Sequence, residues 1–331
     1  IQLLFFFFLI LGAVYCIRRV GGFGEQLGFA AGSLLIISGA FALQSVGAGS
    51  AVYQTQTPYQ ELEIRDSGGV RTLYLNDQPQ SSMYLNGSGA HVCDYTRYFH
   101  LPFLMADEKE DIDKVLFIGG GGFTGPKRFV NDYNVTVDVV EIDPEVVDAA
   151  KRYFRVNESE KMRIHVMDGR KFLEQSNETY DMIVVDAYRK SSVPFHLTTQ
   201  EFMQLSNSKL DEDGFLYANI ISSPSGPGSK LYRSQYKTAE TVFPQVYGFR
   251  TSRLPVTQNI ELIASKNSDR ITENEFLKRD GERDIGIGLS DEIENMMDRP
   301  HTEDVPLLRD DRAPVDRLLD PLVGTEYVIE D

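Results

Sequence analysis

The sequence predicts a doubly wound α/β domain between residues 111 and 266, and three observations support this prediction. From Lys114 onward, apolar runs of strand length alternate with segments of helical pattern. A run of four glycines, residues 119–122, follows the first of these strands and precedes a helix. The last two apolar runs of the region follow each other without a helical segment between them. Because strands separated by helices form a mostly parallel sheet, we expect an open sheet with helices on both faces.

The individual elements follow in a regular order. The predicted strands are KVLFIG, VTVDVVEID, MRIHVMDG, YDMIVVDA and GFLYANII. The predicted helices are PKRFVNDY, PEVVDAAKRYF, RKFLEQ, TTQEFMQLSNSKL and SKLYRSQYKTAETVF. Pro144 suits the first position of its helix, and Thr198 with Glu201 forms a capping-box pattern at the start of the fourth helix. The closing runs VYGFRTSR and NIELIASK are expected to pair as two strands.

Two further segments flank this domain. Residues 51–110 contain short β-rich runs separated by turn residues, such as YQELEIRD and RTLYLND, and these predict an N-terminal β-hairpin subdomain. Residues 267–331 form an acidic C-terminal extension with a weak pattern, and part of it is predicted to be an exposed linker.

The composition argues against two kinds of partner. The chain has 331 residues, of which 33 are basic and 49 acidic, so its formal net charge of -16 would repel a nucleic-acid backbone over most of its surface. The two cysteines, Cys16 and Cys93, form no CxxC motif, and the five histidines form no HxH or HExxH spacing. We therefore expect neither a nucleic acid nor a bound metal.

The glycine run predicts a nucleotide site at the end of the first strand. Small residues there let the backbone of Gly119, Gly120 and Gly121 approach a ligand closely. Glu141 stands 22 residues after Gly119, at the end of the next strand, where a carboxylate accepts hydrogen bonds from both hydroxyls of a ribose. The alternative role of Glu141 is to cap the following helix, but Asp143 is better placed for capping.

A second carboxylate stands at the end of the third strand. Asp168 and Gly169 occupy the position where a carboxylate can hold the amino group of an adenine. A nicotinamide or flavin dinucleotide is an alternative ligand, because Gly120, Gly122 and Gly125 match the GxGxxG pattern. The closing strand pair favours instead an adenosyl-sulfonium nucleotide, S-adenosylmethionine or its decarboxylated form, bound as a co-substrate.

Over residues 59–266 the chain resembles the spermidine synthase (aminopropyltransferase) family. The motifs that carry the resemblance are the YQ pair at Tyr59, LYLNDQPQ, VLFIGGG, VVEIDPEVV, MDGRKFL and YDMIVVDAY. The resemblance implies a Rossmann-like sheet of the class I methyltransferase type, with Gln60 as a further nucleotide-binding residue and Asp186 as the catalytic residue. VPFHLTTQEF and RDDRAPVDRLL resemble more specifically the branch of the family that is fused to membrane spans.

The first fifty residues predict membrane attachment. IQLLFFFFLILGAVYCI and residues 27–43 are apolar runs close to the roughly 20 residues that a bilayer-spanning helix needs. We expect residues 1–50 to form two transmembrane helices, truncated at the N-terminus, and the protein to have a multi-pass membrane location. A signal peptide is the alternative for the first run. The side of the membrane on which the remaining chain lies stays open. Arg18 and Arg19 favour a cytoplasmic loop between the two runs, which places the following domain outside, whereas the use of a cytosolic nucleotide requires that domain inside.

Three departures from the family pattern bear on the acceptor. Gly122 replaces the aspartate of the glycine motif, and Arg189 replaces the second aspartate of the catalytic loop. Tyr95 begins a Tyr-Thr-Arg cluster where the family has Tyr-His/Gln-Glu. Several carboxylates that would hold a diamine are therefore absent, and an Arg189 that faces the site would favour a neutral or anionic acceptor. The residues expected on the acceptor side are Gln80, Tyr95, Arg189 and Asn219.

Asp186 ends a buried strand at the carboxyl edge of the sheet, where it can orient an amine nucleophile and remove its proton. Three functions remain open: an aminopropyltransferase, a methyltransferase with an unknown small acceptor, and a non-catalytic nucleotide-sensing domain of a transporter. The expected partners are a small-molecule acceptor and the membrane, and a homodimer is one expected assembly. His196 is interpreted as a packed loop histidine rather than a base.

Overall fold

In the computed structural model, the described residues are 50–88, 92–108, 111–187 and 193–322. The first four strands form an antiparallel sheet in sequence order: β1 (Ser50–Gln56), β2 (Glu61–Ser67), β3 (Val70–Leu75) and β4 (Gln78–Tyr84). Two-residue turns join β2 to β3 and β3 to β4, and their four residues all have positive φ: Gly68, Gly69, Asn76 and Asp77. Positive φ at both central positions matches the twist of a tight hairpin, so the predicted N-terminal β-hairpin subdomain is confirmed.

The larger sheet has eight strands. They are β5 (Lys114–Ile118), β6 (Thr136–Glu141), β7 (Met162–Val166), β8 (Tyr180–Val185), β9 (Leu210–Ser222), β10 (Gln245–Arg250), β11 (Gln258–Ser265) and β12 (Met296–Met297). Their order across the sheet is β12-β10-β11-β9-β8-β5-β6-β7. Strands β5 to β9 are parallel, whereas β11 runs antiparallel to both β9 and β10. The predicted α/β fold and the predicted pairing of the two closing strands are therefore confirmed.

Helices cover both faces of this sheet. They are α1 (Pro102–Met105), α2 (Thr124–Tyr133), α3 (Pro144–Tyr153), α4 (Gly169–Gln175), α5 (Gln200–Ser208), α6 (Lys230–Ala239), α7 (Glu273–Glu282), α8 (Ser290–Ile293) and α9 (Val315–Leu319). Along β5, Val115 and Phe117 enter one buried apolar cluster, whereas Leu116 and Ile118 enter a second cluster. Alternate side chains point to opposite faces of a strand, so a strand buried on both faces becomes apolar throughout.

The start of α5 differs by one residue from the prediction. The N-cap is Thr199 rather than Thr198, and its hydroxyl accepts a hydrogen bond from the Phe202 amide at 3.3 Å. Thr198 Oγ1 instead donates to the carbonyl of Phe195 at 2.7 Å, which closes the preceding 3₁₀ turn. Thr199 therefore caps α5 and Thr198 closes the preceding turn, and the capping-box spacing alone does not distinguish the two threonines.

The described part of the acidic extension includes segments that pack against the sheet, and the exposed linker expected within the extension stays a prediction. Strand β12 pairs with β10, and the ring of Phe276 from α7 is fully buried against Tyr247 and Phe249. Asp310 accepts two hydrogen bonds from Arg170, at 2.7 and 2.6 Å. The extension is thereby fixed to both the edge of the sheet and the start of α4.

The prediction of a multi-pass membrane location is corrected by the structure. Within residues 50–322, leaving out the three internal gaps, no helix combines the length and the apolar character needed to cross a bilayer. The prediction of transmembrane helices rested on two apolar runs, residues 1–17 and 27–43, and both lie outside the described residues. Of residues 1–50, only Ser50 is described, and it belongs to β1.

Candidate active site

A cavity lies at the carboxyl ends of β5, β6, β8 and β9, where it is bounded on one side by the small N-terminal sheet. It brings together the predicted site residues Gln60, Gln80, Tyr95, Gly119, Gly120, Gly121, Glu141, Asp168, Gly169, Asp186 and Asn219. Open α/β sheets bind ligands at this edge, because the loops there diverge on either side of the central strands. The predicted acceptor residue Arg189 lies outside the described residues.

The glycine turn after β5 leaves no room for a side chain at its first position. Gly119 has φ +103°, and a Cβ added there would lie 2.2 Å from the carbonyl oxygen of Asp186. Gly121 also has a positive φ, of +49°. Position 119 therefore requires a glycine for two reasons: the backbone there has a positive φ, and the loop that carries Asp186 approaches too closely for a Cβ.

Replacement of this first glycine should therefore disturb the fold of the site. We expect Gly119→Ala to lower the free energy of unfolding by about 1–3 kcal/mol, because strain and a backbone clash combine at this position. Denaturant unfolding followed by circular dichroism measures the change. Gly281→Ala in α7 is the matched control, since a Cβ there meets nothing within 4 Å. Equal losses in the two variants would contradict the role assigned to the turn.

Glu141 holds the glycine turn through its carboxylate. Its Oε2 accepts a hydrogen bond from the Gly120 amide and its Oε1 accepts one from the Asp143 amide, both at 2.9 Å. Burial raises the pKa of the Glu141 carboxyl above its usual range, and the two amide hydrogen bonds oppose this shift. Each carboxylate oxygen can accept a further hydrogen bond, so Glu141 can receive both hydroxyls of a ribose while still holding the turn.

The helix cap after β6 belongs to Asp143, as the sequence indicates. Its Oδ1 accepts a hydrogen bond from the Glu145 amide at 3.0 Å, which caps α3. Its Oδ2 accepts hydrogen bonds from Thr57 Oγ1 at 2.7 Å and Gln60 Nε2 at 3.2 Å. These contacts attach the small sheet to the nucleotide-binding edge. Among the described residues, the buried Oε1 of Gln60 has no hydrogen-bond donor, so it can accept one from a ligand in the cavity.

Asp168 is already engaged by two protein groups. Its Oδ1 accepts a hydrogen bond from the Lys171 amide at 3.0 Å and caps α4, while its Oδ2 lies 2.8 Å from His196 Nε2. Burial acts to raise the pKa of Asp168, but the hydrogen bonds from Lys171 and His196 outweigh it and hold that pKa below its usual range. His196 therefore lines the cavity as the partner of Asp168, and its interpretation as a loop histidine rather than a base stays a prediction.

Asp186 and Asn219 form the polar wall on the other side of the cavity. Asn219 Nδ2 donates to Asp186 Oδ1 at 2.8 Å, and Asn219 Oδ1 accepts from Asn259 Nδ2 at 2.7 Å. Burial raises the pKa of the Asp186 carboxyl above its usual range, whereas hydrogen bonds from Asn219 and Tyr95 lower it. A desolvated carboxylate held in this way can accept a proton from a bound nucleophile.

Sequence reasoning did not single out a buried carboxyl group behind this wall. Glu261 of β11 pairs in register with Asn219 of β9 and accepts a hydrogen bond from the hydroxyl of Tyr217 at 2.7 Å. Burial raises the pKa of Glu261 well above its usual range, and the charge of Asp186 acts in the same direction. A lone acidic residue within the apolar run NIELIAS was the available signal for Glu261, and Asn259 stands two residues earlier on the same face.

The departure at Gly122 has a steric explanation. A Cβ at this position would lie 2.7 Å from the Cβ of Ser81 and 3.0 Å from the ring of Phe154. Ser81 Oγ also accepts a hydrogen bond from the Gly122 amide at 2.9 Å. Residues of the small sheet and of the segment after α3 thus fill the space that an aspartate side chain would need at Gly122.

Taken with the strand order, this cavity defines a Rossmann-like transferase with a class I methyltransferase type of sheet. The chain belongs to the family described as the spermine/spermidine synthase domain, whose model matches residues 95–266. The resemblance found in the sequence is confirmed at the level of this family, and the chain is a transferase of the polyamine aminopropyltransferase type.

Individual relatives include both an aminopropyltransferase and a methyltransferase. The chain is 28% identical to a polyamine aminopropyltransferase of Vibrio vulnificus over 221 residues, which are 62% of this chain and 69% of that protein. It is 29% identical over 147 residues to the eEF1A lysine and N-terminal methyltransferase of Homo sapiens, which covers 40% of this chain and 20% of that protein. A probable spermidine synthase from Corynebacterium glutamicum has the same fold, with a TM-score of 0.60, 20% identity, and coverage of 69% of this chain and 86% of that one.

Proposed function

We propose that this chain transfers an aminopropyl group from decarboxylated S-adenosylmethionine to an amine, and that residues 111–266 form its nucleotide-binding transferase domain. The observation that carries the proposal is the convergence of the glycine turn, Glu141 and Asp186 on one cavity. The polyamine aminopropyltransferase relatives support the same reaction class.

The nucleotide would lie across the ends of β5, β6 and β7. Glu141 would accept hydrogen bonds from the ribose hydroxyls, and Gln60 would offer its Oε1, which has no donor among the residues that the structure describes. The amino group of the adenine would donate to Asp168, whose Oδ2 already faces His196. His196 and Asp168 would then form one polar contact surface for the base, with the backbone of Gly119 and Gly120 beneath the sugar.

The reaction is an in-line displacement at a carbon bonded to a sulfonium. The acceptor nitrogen would attack that carbon, the carbon–sulfur bond would break, and the sulfur would leave as a neutral thioether. Asp186 would orient the amine and take its proton, while Asn219 holds the carboxylate in place through its 2.8 Å hydrogen bond. Asn219, Tyr95 and Gln80 would line the acceptor side of the cavity.

Methyl transfer is the second candidate, because one observation favours it. The family aspartate absent at Gly122 would help to hold the decarboxylated nucleotide, and Ser81 and Phe154 occupy its space. The carboxylates that line the cavity in the described part of the chain are Glu141, Asp168 and Asp186. The match to a protein methyltransferase over 40% of the chain is in line with this alternative.

Two measurements separate the candidates. Calorimetry of the chain with S-adenosylmethionine and with its decarboxylated form compares the two nucleotides, and mass spectrometry of reactions with putrescine identifies the transferred group. We expect tighter binding of the decarboxylated nucleotide and a product heavier by one aminopropyl group. A product heavier by one methyl group would replace the proposal with the second candidate, and binding without any transfer to amines would refute both.

A further inference from the structure

A second cavity adjoins the active site and is lined by cationic side chains. We call it the cationic pocket, and its charged lining residues are Lys127, Arg128 and Arg155. Polar uncharged groups complete one wall, among them Ser82, Thr124 and Asn131. None of the lining residues that the structure describes is acidic, although the whole chain carries a formal net charge of -16.

Two of these cations have no carboxylate partner among the described residues. Lys127 Nζ donates to the carbonyl of Phe154 at 2.6 Å, and Arg155 Nη2 donates to the carbonyl of Leu85 at 2.9 Å. Arg128 differs, because its Nη2 lies 3.0 Å from Asp132 Oδ2. Burial lowers the pKa of Lys127 to about 8, and the neighbouring charge of Arg155 adds to this effect. A bound anion would relieve the repulsion between the two cations.

The cationic pocket shares part of its wall with the acceptor side of the active site. Ser81, Cys93 and Tyr95 line both cavities. The Tyr95 hydroxyl donates to the carbonyl of Gln80 at 3.3 Å, and Tyr95 also acts to lower the pKa of Asp186. Because Tyr95 lines both cavities, it stands between the proposed base and the cationic pocket. A ligand with its amine at Asp186 would pass Tyr95 to reach Lys127 and Arg155.

We propose that the acceptor amine also bears a carboxylate, and that Lys127 and Arg155 bind this carboxylate in the cationic pocket. The proposal rests on the proposed function, since it names the acceptor class of that same site. A plain diamine would place a second cationic end beside two cations that have no carboxylate partner in the described part of the chain, and like charges in a partly buried site cost affinity. A carboxylate accepts charge-assisted hydrogen bonds from both groups.

The test compares two acceptors that differ by one carboxylate, putrescine and ornithine. We expect kcat/KM of the unchanged chain to be about 10- to 100-fold higher with ornithine, the usual effect of hydrogen bonds to a charged group. In Lys127→Gln/Arg155→Gln this preference should be lost, and turnover of putrescine should rise. Arg155→Gln alone, at an exposed position, should lose part of the preference without a risk to folding.

Arg152→Gln is the matched control, because this exposed arginine lies near Asp148 and outside both cavities. Its acceptor preference should match that of the unchanged chain. An unchanged preference in the double variant, or a preference of the unchanged chain for putrescine, would overturn the proposal. Calorimetry with ornithine in the presence of nucleotide covers the case of no turnover. If the unchanged chain binds ornithine and the double variant does not, the cationic pocket is supported although the proposed reaction fails. If the two proteins bind ornithine equally, the role of the cationic pocket is refuted.

Discussion

Asp186→Asn is expected to slow turnover by about 100- to 1000-fold while nucleotide affinity stays unchanged, because loss of a positioned base removes most of the rate that proton transfer contributes. The substitution preserves the shape of the side chain, and the new amide oxygen can still accept the hydrogen bond from Asn219. Steady-state kinetics gives kcat, and calorimetry with the nucleotide gives the affinity. Equal rates in the two proteins would exclude Asp186 as the base.

The pH dependence of this variant gives an independent readout. Because burial raises the pKa of Asp186, the acidic limb of the kcat/KM profile should lie above about pH 4, the ordinary range of an aspartate, and should be absent from Asp186→Asn. A raised folded-state pKa favours the protonated fold, so its contribution to stability is present at low pH and is lost as pH rises through that pKa. At neutral pH the asparagine variant should therefore be at least as stable as the unchanged chain.

The exposed Asp213 provides the matched control for this experiment. Asp213→Asn removes the same charge from the same sheet, at the opposite end of β9 from the cavity. Its kcat, its pH profile and its stability should follow those of the unchanged chain. A comparable slowing in Asp213→Asn would mean that loss of a negative charge, rather than loss of the base, explains the effect.

Glu141→Ala is expected to weaken nucleotide binding by about 1–3 kcal/mol, the usual loss for hydrogen bonds to a charged group. The substitution also leaves the amides of Gly120 and Asp143 without the acceptors that hold the glycine turn. Glu141→Gln retains one oxygen that can accept a hydrogen bond from one of these two amides, so it should disturb the glycine turn less than Glu141→Ala does. Calorimetry measures the nucleotide affinities, and denaturant unfolding measures the free energy of unfolding, which reports the disturbance of the glycine turn.

Glu158→Ala is the control for loss of an acidic side chain. Glu158 is exposed and pairs with Lys151 on the surface, away from both cavities. Nucleotide affinity in this variant should equal that of the unchanged chain. If Glu141→Ala also binds the nucleotide normally, Glu141 does not contact the ribose, and the position proposed for the nucleotide is wrong.

Much of the nucleotide edge could be predicted from the sequence because its signals are local. A glycine run after a strand, and carboxylates that end the next strands, must meet at one edge of a parallel sheet. Gly119, Glu141 and Asp186 were identifiable for this reason, and the structure places all three around one cavity. The role of Asp143 as a helix cap follows from the same local rules.

The remaining features depend on packing between distant segments. Thr199, the N-cap of α5, also donates a hydrogen bond to Asp310 at 2.6 Å across 111 positions of sequence, and this contact does not follow from local spacing. Lys127 and Arg155 belong to different segments, and their shared pocket exists only because the small sheet closes over them. No periodicity or motif in a single sequence predicts such long-range contacts, because they depend on how whole helices and strands pack against one another.

The attachment of the small sheet to Asp143 has a thermodynamic consequence. Thr57 and Gln60 hold the sheet on the cap of α3, and a nucleotide between Gln60 and Glu141 would contact both bodies at once. Any ligand that binds only the docked arrangement stabilises it by mass action, so docking and nucleotide affinity are linked. Saturation with nucleotide would thus shield the connection near residue 57 from proteases, and occupancy of the site would be readable as resistance to limited digestion.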